Sequence, residues 1–191
     1  GLKYPKSAEC SVGSVFTKMW NPDYFPEGCP PSSLITLNFD STEKSKSPIE
    51  LTWTDGGIRP PHPDIIPADS DIGGEDSLNG VLMIGDKGII STNINDSSPL
   101  MPKLYLYDGD TEFGPETEQM PEPEYGHQRK WVDACKAGFN SKQHKELTSS
   151  FDYAGPMTET VLMGNLAIRS YMLRQENSKG GFDFYARKKL L

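Results

Sequence analysis

Two stretches decide the fold: Ser33-Leu34-Ile35-Thr36-Leu37-Asn38-Phe39-Asp40 and Pro48-Ile49-Glu50-Leu51-Thr52-Trp53-Thr54. Each alternates apolar and polar residues, through Ile35, Leu37 and Phe39 in the first and Ile49, Leu51 and Trp53 in the second. A period of two puts each apolar set on one face of a strand. The short Ser/Lys/Glu run at 41–47 between them reads as a solvated turn, so the two strands form an antiparallel hairpin with one covered face.

Working outward, residues 8–18 read as a strand and 19–32, with four prolines, as a loop. Residues 55–77 form a long loop, 79–92 a hairpin turning at Gly85 to Gly88, and 103–107 a short strand. The acidic, proline-bearing stretch 108–123 reads as a surface connection. Two helices follow. The first runs from about Tyr125 to Ala137, with Trp131, Val132 and Cys135 on its core face and Gly138 as C-cap. The second runs from about Pro156 to Arg174, with Pro156 in its first turn. Met157, Val161, Leu162, Leu166, Ile168, Met172 and Leu173 supply its apolar face, and Gly164 and Ala167 permit close approach to a sheet. Gly180 and Gly181 mark a turn before a last strand that has just started when the sequence stops. Strands first and helices later predict an α+β fold: an open, largely antiparallel sheet with helices packed on one face. The other face is then solvated or partnered, and Val12, Trp53 and Val81 are its apolar candidates.

Composition narrows the function. The chain has 191 residues, 19 basic against 27 acidic, a net charge of −8. An acidic balance argues against nucleic acid and against an anionic membrane surface, both of which need a basic face. No apolar stretch is long enough to span a membrane. Aromatics at 10% exceed what a disordered chain carries. The three cysteines, Cys10, Cys29 and Cys135, form no CxxC pair, which argues against a thiolate zinc site and favours buried thiols over a Cys10–Cys29 disulfide. There is no GxGxxG, hence no dinucleotide fingerprint, and no GxSxG nucleophile elbow. The acidic run holding Asp71, Glu75 and Asp76 lacks a calcium-loop pattern. The chain thus carries no patterned metal site and no cofactor-binding fingerprint of its own, while its acids are plentiful enough to supply a carboxylate pair of the kind that glycoside hydrolysis uses.

Four motifs in order then carry a resemblance. They are Thr52-Trp53-Thr54-Asp55-Gly56-Gly57 with Pro60-Pro61; Gly80-Val81-Leu82-Met83-Ile84-Gly85-Asp86-Lys87-Gly88; His127-Gln128-Arg129-Lys130-Trp131-Val132-Asp133-Ala134-Cys135-Lys136; and Phe151-Asp152-Tyr153-Ala154-Gly155-Pro156-Met157-Thr158-Glu159-Thr160-Val161-Leu162 with Gly164-Asn165 and Arg169. Together they resemble the C-terminal domain of the Gfo/Idh/MocA oxidoreductases, in the sugar-related branch common in Bacteroidetes. The resemblance covers most of 1–191 as a single domain cut at both ends, and is clearest over 48–175. It implies a fold like the C-terminal domain of glyceraldehyde-3-phosphate dehydrogenase. It also implies an N-terminal Rossmann domain in cis that binds NAD or NADP, and an open sheet face that makes a homo-oligomer. The family's catalytic Lys and His have no matching position here. The implied protein is an NAD(P)-dependent oxidoreductase of a sugar or cyclitol, and the resemblance assigns no compartment, periplasmic or cytoplasmic. This chain is its substrate-side and oligomerisation domain, binding no cofactor and inactive alone. Two alternatives stand beside it: a non-catalytic glycan-binding or dimerisation module, and part of an NAD-dependent glycoside hydrolase.

Four residues are candidates for substrate contact. Asp55 accepts sugar hydroxyls, Arg59 donates in a fork, and His62 is held extended between prolines. Gly56 and Gly57 allow close backbone approach. His127, at the start of the first helix, is the fourth.

Overall fold

The computed structural model describes residues 2–20, 22–70, 72, 79–93, 102–110, 112–113 and 125–187. It is an α+β fold in which every paired strand is antiparallel. The chain divides into two compact units: Gly1–Pro60 with Gln128–Leu191, and Pro61–His127. Among the described residues the strands form three separate sheets rather than one continuous sheet.

The first unit is built on β1 (Ser7–Val12), β2 (Ser33–Phe39) and β3 (Ile49–Thr54), in that order across the sheet. The register sets Ile35 opposite Cys10 and Trp53, Leu37 opposite Ala8 and Leu51, and Phe39 opposite Ile49. One face is therefore apolar, and Ile35, Leu37 and Phe39 are buried in its centre. The other face carries Glu9, Ser11, Thr36, Asn38, Glu50 and Thr52, with Leu34 as an apolar exception between Ser11 and Thr54. This corrects the expected outer-face placement of Val12 and Trp53, because the register aligns both with the buried row.

A 22-residue helix, α3 (Phe151–Met172), packs on the apolar face over β1 and β2. Gly164 is its buried residue, and a Cβ there would lie 3.3 Å from two side-chain atoms of Ile35. Met163 and Ile168 join the contact, whereas Met157, Val161, Leu162 and Leu166 are exposed. The helix is apolar on several sides, and the side that seats on the sheet is the one carrying Gly164. It begins five residues before Pro156. The proline sits inside it, without the N–H that the Asp152 carbonyl would accept. The start is covered by Tyr153 and Ala154 N–H groups donating to the Ser150 carbonyl at 3.0 and 2.8 Å.

The rest of this unit is smaller. β8 (Arg174–Glu176) and β9 (Phe182–Arg187) make a two-stranded ladder. Tyr24 ties its loop to this ladder, its ring tilted at 53° to that of Phe182 with centroids 4.9 Å apart and lying beneath the Arg174 guanidinium at 4.6 Å. A short helix, α2 (Lys142–Lys145), is capped by Ser141, whose Oγ accepts from the His144 N–H. The helix α1 (Gly126–Ala137) buries only its small residues Gly126 and Ala134; Trp131, expected in the core, is 57% exposed. All three cysteines are free, with Cys29 and Cys135 exposed rather than buried.

The second unit carries β4 (Gly80–Ile84), β5 (Gly88–Asn93), β6 (Lys103–Leu106) and β7 (Glu112–Phe113), consecutive across one sheet. Ile89, Tyr105 and Ser91 are buried on one face. That face is covered by the long loop rather than by a helix: Ile66, 2% exposed, and Ile72 complete its core. The opposite face presents Val81, Met83 and Ile90, all exposed, with Leu104 and Leu106. Asp71, Glu75 and Asp76, most of the 108–123 connection and the residues after Arg187 lie outside the described residues.

Candidate functional site

Strand β3 ends in the turn that carries Asp55. The Asp55 carbonyl accepts from the Ile58 N–H at 3.2 Å, which closes the turn through Gly56 and Gly57. Gly56 has φ +62°, and a Cβ there would fall 2.1 Å from the Pro31 carbonyl oxygen. Glycine is required at this point on both counts. The turn thus lies flat against the start of β2.

The Asp55 carboxylate is engaged by its own chain. Oδ1 accepts the Ser33 backbone N–H at 2.6 Å, and Oδ2 accepts the Ser33 hydroxyl at 2.9 Å. Oδ2 also accepts the Trp53 indole N–H at 3.3 Å. Ser33 is 1% exposed, so these bonds satisfy a buried backbone donor and a buried hydroxyl. Asp55 is a latch between β2 and β3. A carboxylate has about four lone-pair positions, so roughly one acceptor site remains for a ligand hydroxyl. Arg59 follows the turn, exposed and already engaged within the molecule.

The two histidine candidates belong to the second unit. His62 is exposed, with Nδ1 3.2 Å from the Pro63 carbonyl oxygen and Nε2 3.1 Å from that of Ser70. A neutral imidazole has one N–H and donates to one of these carbonyls at a time. The ring bridges two turns, closed by Ile66 N–H to Pro63 and Ser70 N–H to Pro67. Those turns deliver Ile66 to the core, so His62 fastens the segment that covers the sheet. His127 stands exposed in the first turn of α1. Asp55 thus lies in a turn of the first unit with Arg59 directly after it, His62 lies in the loop of the second, and His127 stands in the first turn of α1, the helix within which the division between the two units falls.

The sequence reading omitted the open depression of about 500 Å³ at the start of α3, lined by Tyr4, Phe151, Asp152, Pro156, Thr158 and Glu159. The Glu159 carboxylate raises the Tyr4 phenol above its ordinary pKa, first by its charge and then by a hydrogen bond. Thr160 Oγ1 meets the carbonyls of Lys3 and Pro156, holding the N-terminal segment on the helix. The aromatic-and-acid run Phe151-Asp152-Tyr153 was the available signal, and it reads equally well as a helix start. Among the described residues no three of His, Cys, Asp and Glu gather in a metal-binding group. No helix among them is long and apolar enough to cross a membrane. No protein-family model matches the chain, and neither does any curated protein.

Proposed function

We propose that this chain is the substrate-side and assembly domain of an NAD(P)-dependent oxidoreductase acting on a sugar or cyclitol. The observation that carries the reading is the order and spacing of four motifs: the Asp55-Gly56-Gly57 turn, the Gly80–Gly88 hairpin, the His127–Lys136 helix and the Phe151–Leu162 helix. The α+β architecture supports it, with a long helix seated on an antiparallel sheet through Gly164. In this reading the nicotinamide cofactor carries the hydride, the Rossmann domain holds the cofactor, and this chain positions the reacting carbon. The test pairs the two-domain protein with the 191-residue chain, following nicotinamide reduction over a panel of aldoses and cyclitols. Turnover by the former and none by the latter is expected. Micromolar NAD binding by the chain alone would overturn the division of labour.

The assembly half of the reading rests on the exposed face of the second sheet. Val81, Met83 and Ile90 form an apolar surface there, with Leu104 and Leu106 beside them. A two-fold contact between copies would cover it. A chain that sediments as a monomer at high concentration removes this part.

A further inference from the structure

Trp53 is the feature of the first unit that the latch leaves unexplained. It stands opposite buried Ile35 on the apolar face of the sheet, yet it is 60% exposed. The reason is position: α3 packs over β1 and β2, and Trp53 lies on β3 at the edge. Leu51, two residues earlier on the same strand face, is 40% exposed for the same reason. Water contact at a tryptophan is ordinary when the ring is loose. This ring is not loose, because its N–H is bonded to Asp55, which is bonded twice to buried Ser33. Among the described residues, no hydrogen bond of this kind holds the indoles of Trp20 and Trp131.

We propose that Trp53 is a stacking platform for the apolar C–H face of a neutral pyranose or cyclitol ring, with Asp55 as the acceptor for one of its hydroxyls. The proposal takes its substrate class from the reading above and adds the residues that hold the ring. Three elements of the chemistry agree. A pinned indole presents its π face with little rotamer entropy left to lose. The remaining acceptor position of the Asp55 carboxylate suits a hydroxyl donor and repels an anionic sugar. Leu51 extends the apolar floor beside the ring.

Magnetic resonance on the full 191-residue chain tests this without cofactor. The W53F variant identifies the Trp53 indole N–H signal. Titration with methyl glucoside and with myo-inositol, to roughly 100 mM for weak binding, is expected to shift that signal and leave those of Trp20 and Trp131 in place. Glucuronate is expected to bind more weakly. W53A should lose about tenfold in affinity, and W53F should retain most of it. A Trp53 signal unmoved by both neutral probes overturns the proposal, as does W53A binding that equals wild type. So does a Trp53 signal that shifts on dilution together with a dimer in sedimentation, because the ring then faces a second copy. The two readings fail separately. Absent turnover with ligand-dependent Trp53 shifts removes the oxidoreductase and keeps the platform. Turnover whose KM ignores W53A removes the platform alone.

Discussion

The two sheets solve the same problem in opposite ways. In the first unit a helix covers the apolar face, and the other face is largely polar. In the second a loop covers one face through Ile66 and Ile72, and the other face is apolar and open. A helix satisfies its own backbone and needs only a side chain small enough to seat, here Gly164. A loop has to find partners for its backbone groups, and the two turns fastened by His62 provide them. What this teaches is that burial in the second unit depends on irregular structure, so its cover is the more sensitive to point changes.

The largest effect that sharpens this contrast is expected at the two core centres. Phe39→Ala in the first unit should cost about 3–5 kcal/mol, and Ile66→Ala in the second about 2–5 kcal/mol. Amide exchange separates them: Ile66→Ala should raise exchange in β4–β6 and spare β1–β3. Equal acceleration in both sheets would break the comparison. Pro156→Ala gives the Asp152 carbonyl a donor and should raise the stability of the first unit by up to about 3 kcal/mol. Next comes the latch turn. Gly56→Ala meets backbone as well as a positive φ and should cost more than 2 kcal/mol, roughly, in denaturant melts. Gly57→Ala, with φ +89° and open space around it, should cost only about 1 kcal/mol.

Smaller effects probe the surfaces. Met83→Glu on the open face should change stability by less than about 0.5 kcal/mol. It should still abolish any self-association seen by sedimentation. Replacing Glu159 with Gln should lower the Tyr4 phenol titration, followed by phenolate absorbance. The sign follows from linkage. The folded chain holds this proton more tightly than the unfolded chain, whose phenol titrates near 10.0. The contribution is present below that value and lost as pH rises through the folded one.

Much of the fold was legible because alternation is a strong local signal. The strands at 33–39 and 49–54, the hairpin turning at Gly85 to Gly88 and the seat at Gly164 follow from residues a few positions apart. What was not legible depends on distant partners. Trp131 and Ala134 share a helix, and nothing in their spacing says that the smaller one is buried. Pro156 marks a first turn by rule, yet only one backbone bond is forfeited by placing it deeper in α3. The strands β7 and β8 are too short to carry a pattern. At the candidate site, Asp55 stood out as a polar residue beside two glycines, but its commitment to Ser33, twenty-two residues earlier, has no local trace.

The first unit is assembled from two separated stretches of chain, with the second unit spliced between them. Ile35 therefore waits for Gly164 until more than a hundred further residues have left the ribosome. At roughly 5–20 residues per second that is several seconds or more of an uncovered greasy sheet. Production of this protein is accordingly expected to be limited by clumping of unfinished chains. A slower rate of synthesis would lengthen that exposure, and a chaperone that shields β1–β3 would relieve it.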